Sequence, residues 1–280
     1  MEIDPSDNSI STFGTLVGST KWSGGVLAPN GKIYGIPYAA TEVLEIDPVT
    51  QTTSTFGSLA GNFKWEGGVL APNGKIYGIP HASTTVLEID PVAKTATTFG
   101  NLSGSFKWIG GVLAPNGKIY AIPYNRSFVL EIDPVTQTTT TFGSTSGSSK
   151  WAGGVLAPNG KIYGIPYAST SVLEIDPDAQ TVSTFGSVAG STKFFGGTLA
   201  PNGKIYGVPY DAASVFELEP NTQAISSFGT FTESRQWAGA VLAPNGKIYG
   251  IPYGATTVIE ILSSKQSDID IALSRQHNKL

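Results

Sequence analysis

The chain has 280 residues, no cysteine, a formal net charge of −4 and 14 % charged residues. The lack of cysteine excludes disulfides, thiolate metal sites and cysteine nucleophiles. Because the charge is sparse and slightly acidic, it offers neither a basic footprint for nucleic acid nor a polybasic patch for a membrane, so we expect neither partner.

The sequence also contains no segment that resembles a signal peptide or a membrane span. Residues 1–5 have neither a basic region nor an apolar one. No apolar run approaches the ~18 residues that are needed to span a bilayer. We therefore expect a soluble protein, and the composition does not select its compartment.

A single unit of 43 residues recurs six times along the chain. Its clearest marker is a Lys-Trp pair, which becomes Lys193-Phe194 in the fifth unit and Gln236-Trp237 in the sixth. A second marker, Lys-Ile-Tyr, begins at Lys32, Lys75, Lys118, Lys161, Lys204 and Lys247. Self-similarity with a period of about 20–50 residues is typical of solenoids and propellers.

Four short strands are predicted in chain order within the first unit. Residues 25–28 form the first strand, and the Pro-Asn-Gly-Lys turn at 29–32 is a strong hairpin signal. Residues 33–38, 43–47 and 52–56 form the second, third and fourth strands. Four strands in about 40–45 residues is the period of a propeller blade. The sequence therefore predicts an all-β fold, a six-bladed β-propeller of four-stranded antiparallel blades.

The two ends of the chain are predicted to complete one blade together. Residues 11–14 look like a fourth strand without partners before them, whereas the last unit has three strands, at 239–244, 247–253 and 257–262, and no fourth. Pairing the N-terminal strand with the last blade would close the ring and remove an open edge.

The predicted propeller domain spans residues 1–262, and residues 2–4 are interpreted as the remnant of a third strand. Residues 263–280 are expected to be a mobile tail or to hold a short helix around 268–275. The alternative architecture is an open array of the same repeat, which the complementary ends disfavour.

The unit resembles the blades of a known group of propellers. At residues 28–34, Ala-Pro-Asn-Gly-Lys-Ile-Tyr, and at 43–48, Val-Leu-Glu-Ile-Asp-Pro, it is similar to the NHL, SMP-30/gluconolactonase and streptogramin-lyase group. The resemblance covers nearly the whole chain and implies a propeller fold. It also implies two kinds of active site: SMP-30-type lactonases hold a divalent metal with Glu, Asn and Asp from different blades, and streptogramin lyases use a histidine.

The near identity of the six units argues against either activity. An active site needs blades that differ, because an acid, a base and metal ligands have separate tasks. The chain has two histidines, His277 and His81, which replaces the tyrosine of the other units. We therefore expect no catalytic residue, no metal site and no cofactor, and a metal-dependent lactonase or lyase is the disfavoured alternative.

The repeated aromatic and lysine residues are the candidate ligand-binding site. In a propeller, the loop before the first strand and the loop between the second and third strands share one face. The candidate residues are Lys21, Trp22, Tyr38, Lys64, Trp65, His81, Lys107, Trp108, Tyr124, Lys150, Trp151, Tyr167, Lys193, Phe194, Tyr210, Trp237 and Tyr253. Aromatic rings beside polar donors suit sugars, and repeated weak sites gain affinity on a repeated target. The predicted function is a non-catalytic, lectin-like binding module.

An alternative remains open for the same residues. The tryptophans would instead wedge between adjacent blades, where Gly24 and Gly25 allow a close approach. The chain would then be a protein-interaction module or a purely structural scaffold. In each case we expect a monomer, whose partner is a glycan or a protein.

A glutamate in the third strand of every unit needs a partner, since an unpaired carboxylate in an apolar strand is costly. These residues are Glu45, Glu88, Glu131, Glu174, Glu217 and Glu260. A four-residue loop would place Ile36 opposite Glu45, so the predicted partner is a lysine or a tryptophan N–H of the next blade. The alternative is a ring of carboxylates that binds metal or ligand.

The units depart from the repeat at few positions, and a private function of one blade is expected there. The departures are His81, Asn125, Arg126, Asp211 and residues 232–235.

Overall fold

The computed structural model describes residues 2–4, 9–263 and 271–274. In these ranges the chain forms strands β1 to β26. Within the same ranges no helix is long and apolar enough to cross a bilayer. The described residues form two compact units, one made of those up to Ala121 with Leu130–Thr141, the other of Ile122–Val129 with those from Phe142 onward.

The strands from β3 onward form six four-stranded sheets, which we call blades 1 to 6, and strands that follow each other in sequence are neighbours in each sheet. Blade 1 comprises β3 (Trp22–Leu27), β4 (Ile33–Pro37), β5 (Val43–Asp47) and β6 (Thr52–Phe56). Blade 2 comprises β7 (Trp65–Leu70), β8 (Ile76–Pro80), β9 (Val86–Asp90) and β10 (Thr95–Phe99). Blade 3 comprises β11 (Trp108–Leu113), β12 (Ile119–Pro123), β13 (Val129–Asp133) and β14 (Thr138–Phe142).

The other three blades repeat this pattern. Blade 4 comprises β15 (Trp151–Leu156), β16 (Ile162–Pro166), β17 (Val172–Asp176) and β18 (Thr181–Phe185). Blade 5 comprises β19 (Phe194–Leu199), β20 (Ile205–Pro209), β21 (Val215–Glu219) and β22 (Ala224–Phe228). Blade 6 comprises β23 (Trp237–Leu242), β24 (Lys247–Pro252), β25 (Val258–Leu262) and β26 (Ile271–Ser274). The predicted fold class, an all-β six-bladed propeller of antiparallel blades, is confirmed.

The first hairpin of each blade is closed by the Pro-Asn-Gly-Lys turn. In blade 1 the Ala28 N–H donates to the Lys32 carbonyl over 2.9 Å, and the Asn30 side-chain oxygen accepts the Lys32 N–H over 3.1 Å. Gly31 has a φ of 77°, a conformation that costs glycine little. The hairpin predicted from Asn-Gly is therefore confirmed.

The second and third strands pair in a register that differs from the predicted one. Glu45 lies opposite Tyr34, not opposite Ile36. The four-residue loop was the wrong assumption, because Tyr38 has already left the strand. Its N–H donates to the Lys21 carbonyl over 2.8 Å, so the loop begins at this residue.

The core lies between neighbouring blades within each unit. In blade 1 the side chains of Tyr34, Ile36 and Val43 are fully buried. Ile36 and Val43 pack in one cluster with Trp65 and Leu87 of blade 2. Strands that are apolar on both faces are thus buried on both faces. Full burial of one such apolar side chain contributes about 1.5–3 kcal/mol to stability.

The innermost strands approach each other closely at glycines. A Cβ atom on Gly24 would lie 3.2 Å from the Cα atom of Gly67 in the next blade, and Gly24 has a φ of 82°. In the other unit, a Cβ atom on Gly153 would lie 3.2 Å from the Cα atom of Gly196. The close approach that the sequence predicts for Gly24 is confirmed, because a larger residue would clash with backbone.

The two ends of the chain differ from the prediction. The fourth strand of blade 6 is β26, which pairs antiparallel with β25 and places Ala272 opposite Glu260. The N-terminal segment does not fill this position, because its strand β2 (Ser9–Ser11) pairs with β1 (Glu2–Asp4). The described part of the expected short helix at 268–275 is strand β26, and the rest of it lies outside the described residues.

Candidate functional site

The predicted site residues fall into three groups by exposure. The buried ones are Lys64, Trp65, His81, Lys107, Trp108, Lys150, Trp151, Lys193, Phe194 and Trp237. The half-buried ones are Lys21, Trp22, Tyr38, Tyr124, Tyr167 and Tyr210. Tyr253 is exposed on 66 % of its surface. The tyrosines, together with Lys21 and Trp22, are thus the accessible part of the predicted site.

The repeated lysines are tied to backbone carbonyl groups inside the fold. The Lys107 Nζ atom donates to the carbonyls of Ser83 at 2.6 Å and Gly104 at 2.8 Å. Lys193 makes the two equivalent bonds, at 2.7 and 2.8 Å. Lys107 and Lys193 thereby join their own loops to the loop between the second and third strands of the preceding blade. Burial lowers the pKa of Lys150 to about 8.

The repeated tryptophans pack inside the blades. Trp151 is 2 % exposed, and its Nε1 donates to the Ser171 carbonyl over 2.8 Å. Trp65 makes the equivalent bond to the Thr85 carbonyl over 2.8 Å. The Lys150 Nζ atom lies 5.7 Å from the centroid of the Trp151 ring, within cation–π range. A ring that is buried and hydrogen-bonded in this way offers no face to a ligand, so the burial supports the packing role.

The tyrosines that end each Ile-Pro-Tyr segment lie side by side at the same end of the blades. In one unit the ring centroids of Tyr124 and Tyr167 are 5.8 Å apart, those of Tyr167 and Tyr210 6.0 Å, and those of Tyr210 and Tyr253 5.5 Å. Phe195 contacts both Tyr167 and Tyr210. We call these four tyrosines the tyrosine arc. Burial raises the pKa of Tyr167 to about 12, so its hydroxyl remains a donor at neutral pH.

In the other unit an aromatic cluster surrounds His81. The His81 ring lies 5.8 Å from that of Tyr38 and 4.9 Å from that of Phe106, and Phe63 lies 5.2 Å from Tyr38. Phe63 and Phe106 are exposed on 44 % and 42 % of their surfaces. Both have left-handed φ angles, 54° and 49°. Large residues rarely adopt this conformation. Here it occurs at two residues whose apolar rings contact solvent.

A glutamate completes this cluster. The Nε2 atom of His81 lies 3.4 Å from Oε2 of Glu66, and both side chains are almost fully covered. Burial raises the pKa of Glu66 to about 7. Burial also lowers the pKa of His81 to about 4, and the charge of nearby Lys107 acts in the same direction. Burial thus disfavours the charged form of both side chains.

The sequence analysis did not identify Glu66, Phe63 or Phe106, although a signal for them exists. The residue after each Lys-Trp marker is Ser23, Glu66, Ile109, Ala152, Phe195 or Ala238. The residue before each marker is Thr20, Phe63, Phe106, Ser149, Thr192 or Arg235. Position-by-position comparison of the units would have revealed these three departures. The structure shows that they lie close to His81 in space.

Two other departures from the repeat, Asn125 and Asp211, have structural roles. The Asn125 side-chain oxygen accepts the Ser149 N–H over 2.8 Å, and Asp211 accepts the Arg235 N–H over 2.7 Å. Ser149 and Arg235 have φ angles of 50° and 53°. Asn125 and Asp211 therefore stabilise left-handed residues in the loops that lead to blades 4 and 6.

The repeated glutamates bind partners in their own blade and in the next one. Glu88 accepts hydrogen bonds from Lys75 at 2.6 Å and Tyr77 at 3.0 Å, and from Gln137 of blade 3 at 2.8 Å. The predicted tie between blades is therefore present, but its donor is a turn residue and not a Lys-Trp residue. Among the described residues, no three His, Asp or Glu side chains are grouped to hold a metal ion.

Known proteins resemble the chain in structure alone. No family model and no curated protein matches the sequence. A streptogramin B lyase structure superposes with a TM-score of 0.80 and 13 % identity, covering 96 % of this chain and 88 % of that one. A catalytically inactive virginiamycin B lyase from Staphylococcus aureus with quinupristin gives 0.75 and 12 %, covering 90 % and 83 %. Hydrazine synthase of Kuenenia stuttgartiensis gives 0.69 and 17 %, covering 89 % and 79 %. The resemblance to the streptogramin-lyase group is thus confirmed at the level of the fold.

Proposed function

We propose that the chain is a non-catalytic binding module that presents aromatic rings at one end of its blades, and that its ligand is a carbohydrate. The observation that carries this proposal is the tyrosine arc, in which successive ring centroids are 5.5–6.0 Å apart. Tyr253 at the end of the arc is exposed on 66 % of its surface.

The chemistry of the arc suits a sugar. Aromatic faces pack against the C–H faces of sugar rings, and tyrosine hydroxyls add hydrogen bonds to sugar hydroxyls. Each ring contributes a weak contact, so contiguous rings favour a ligand that is itself a chain of repeated units. The tyrosines lose little conformational freedom on binding, because each side chain has only two rotatable torsions.

The buried lysines and tryptophans have a supporting role in this proposal. Lys193 fixes the loop that begins at Tyr210, since the N–H of Tyr210 donates to the Lys193 carbonyl over 2.8 Å. The lysine side chain meanwhile holds the preceding loop through the Ser169 carbonyl. The ligand would therefore contact the tyrosines, while the Lys-Trp pairs keep them in position.

A glycan array on the intact protein tests the proposal, followed by isothermal titration with each oligosaccharide that binds. Oligosaccharides should bind more tightly than their monosaccharides, because they contact several tyrosines. If no glycan binds, the carbohydrate proposal fails, and the two alternatives, a protein-interaction module or a structural scaffold, take its place.

A lyase is the second candidate function, and one observation favours it. The pKa values of Glu66 and His81 are shifted in opposite directions by burial, and the two side chains lie 3.4 Å apart. Such pairs concentrate at functional sites. Incubation with quinupristin, the compound in one of the similar structures, would reveal a product by mass spectrometry. Product that disappears in the Glu66→Gln variant would support the lyase, and no product would leave the binding module.

A further inference from the structure

A cavity of about 450 Å³ opens in blade 5. It lies between the loop that precedes β19, the loop between β20 and β21, and the outer strand β22. Its apolar walls include Val188, Phe194 and Ile225, and Ser214 and Ser226 contribute polar groups. Blade 4 has a cavity at the equivalent position, of about 250 Å³. Ligand pockets usually measure roughly 300–1,000 Å³, so the cavity in blade 5 has the volume of a binding site.

Both cavities are lined by the residue at one position of the loop before the first strand, six residues before that strand begins. In blade 2 this residue is Leu59, which is buried in one cluster with Trp65. In blade 6 it is Phe231, whose ring centroid lies 5.2 Å from that of Trp237. Blades 4 and 5 have the smaller Thr145 and Val188 at this position, and cavities remain.

Blade 5 differs further, because a phenylalanine replaces the tryptophan. In blade 4 the Trp151 Nε1 donates to the Ser171 carbonyl. In blade 5 the residue is Phe194, which has no N–H to offer to the equivalent carbonyl of Ser214. Phe216, in place of leucine, lies 5.4 Å from Phe194 and restores part of the lost volume. It does not restore the donor.

We propose that the cavity in blade 5 binds a small aromatic compound that carries a ring N–H, such as an indole. The ligand's ring would pack against Phe194, Val188 and Ile225, and its N–H would donate to the Ser214 carbonyl. The ligand thus supplies the N–H that tryptophan supplies in blades 1, 2, 4 and 6. The serine hydroxyls of the cavity would accept or donate hydrogen bonds to polar substituents of the ring.

This site is independent of carbohydrate binding, since it requires the interior of blade 5 and none of the tyrosine rings. A solution of 5-fluoroindole provides the test, because its ¹⁹F NMR signal reports binding without interference from the protein's tryptophans. The wild-type chain should shift and broaden the signal in a saturable manner, with one ligand per chain.

Two variants should weaken this binding by filling the cavity. The double change Phe194→Trp/Phe216→Leu reproduces the blade 4 pair Trp151 and Leu173 and should weaken binding at least tenfold. Val188→Phe places the ring of Phe231 in the equivalent loop and should have the same effect. Phe128→Trp makes the same chemical change at an exposed residue outside the cavity lining and should bind 5-fluoroindole as the wild type does. Thermal unfolding curves identify any variant that fails to fold.

The N–H is tested separately with the N-methyl derivative of 5-fluoroindole. Loss of one hydrogen bond to a buried carbonyl should weaken binding roughly five- to tenfold. No binding to the wild type, or unchanged binding in both filling variants, would overturn the proposed site. Equal binding of the N-methyl derivative would overturn the role of Ser214.

Discussion

The Nε2 atom of His81 lies 3.4 Å from Oε2 of Glu66, and both residues depart from the repeat within one blade. The other units have tyrosine in place of the histidine and no acidic residue in place of the glutamate. The two departures therefore form one pair, in which burial opposes the charge on both members.

The pair predicts opposite dependences of stability on pH when either member is removed. In His81→Tyr, Glu66 remains, with a pKa raised from 4.5 to about 7. Since the folded state then holds its proton more tightly, stability should fall as pH rises from about 4.5 to 7. In Glu66→Ala, His81 remains, with a pKa lowered from 6.5 to about 4. Since the folded state then holds its proton less tightly, stability should rise from about pH 4 to 6.5.

Urea unfolding between pH 4 and 8 measures both slopes. The double variant restores residues that other blades use at both positions and is the matched control. After subtraction of the pH dependence that all three variants share, the stability of this double variant should follow neither trend. Parallel curves for the two single variants would show that burial does not set these pKa values.

Replacing a buried tryptophan should lower the free energy of unfolding more than replacing the half-buried Trp22. Trp151→Phe removes the donor to the Ser171 carbonyl and enlarges the 250 Å³ cavity. We expect the free energy of unfolding to fall by about 2–3 kcal/mol, from the lost hydrogen bond and the added cavity. Trp22→Phe makes the same change at a half-buried site and should cost about half as much. Equal losses in urea unfolding would contradict the role assigned to burial.

The ion-pair network predicts loss of stability in acid. Burial opposes ionisation of Glu88, but hydrogen bonds from Lys75, Gln137 and Tyr77 outweigh it and lower its pKa below 4.5. A lowered pKa contributes stability above pH about 4.5 that disappears as pH falls through the folded value. Glu88→Gln should therefore be less stable than the wild type at pH 7, by about 1–3 kcal/mol, and the difference should shrink below pH 4.5.

The exposed Glu42 provides the control for this prediction, because its carboxylate accepts its hydrogen bond from Thr55 at the surface. Glu42→Gln should change stability by less than about 0.5 kcal/mol at either pH. A difference for Glu88→Gln that stays constant from pH 7 to pH 3 would show that its charge does not stabilise the fold.

The carbohydrate proposal predicts that a single tyrosine of the arc contributes measurably to the affinity for an oligosaccharide. Tyr210→Ala removes a ring that contacts three others, those of Tyr167, Phe195 and Tyr253. Affinity for an oligosaccharide found on the array should fall at least tenfold by isothermal titration. Val92→Ala, in an exposed turn of blade 2, is the control and should bind normally. Unchanged affinity in Tyr210→Ala would remove the arc from the binding site.

Much of the blade architecture is predictable because it depends on local signals. The Asn-Gly turn at Asn30 and the apolar strands around it specify hairpins without reference to distant residues. The register between the second and third strands could not be predicted, because a hydrogen bond from Tyr38 to the Lys21 carbonyl decides where the strand ends. The closing strand β26 could not be predicted from the repeat, since its residues do not belong to the repeat.

Less of the candidate site than of the blade architecture could be predicted from the sequence. A Lys-Trp pair repeated six times is compatible with a binding surface and with a packing device, and burial alone separates the two. Glu66 was identifiable by comparing the units. The cavity beside Val188 was not, because its size depends on how a loop residue packs against a distant strand.

The hydrogen bond from Gln137 to Glu88 connects a blade to the blade that precedes it in the sequence. The donor follows its acceptor by 49 residues, and the bonds from Lys94 to Glu45 and from Gln223 to Glu174 have the same separation. On the ribosome, the carboxylate of one blade therefore emerges long before the side chain that completes its hydrogen bonds. Each newly synthesised blade supplies a hydrogen-bond donor to the glutamate of the blade before it. Assembly of the protein during synthesis should therefore advance from the N-terminus, one blade behind translation.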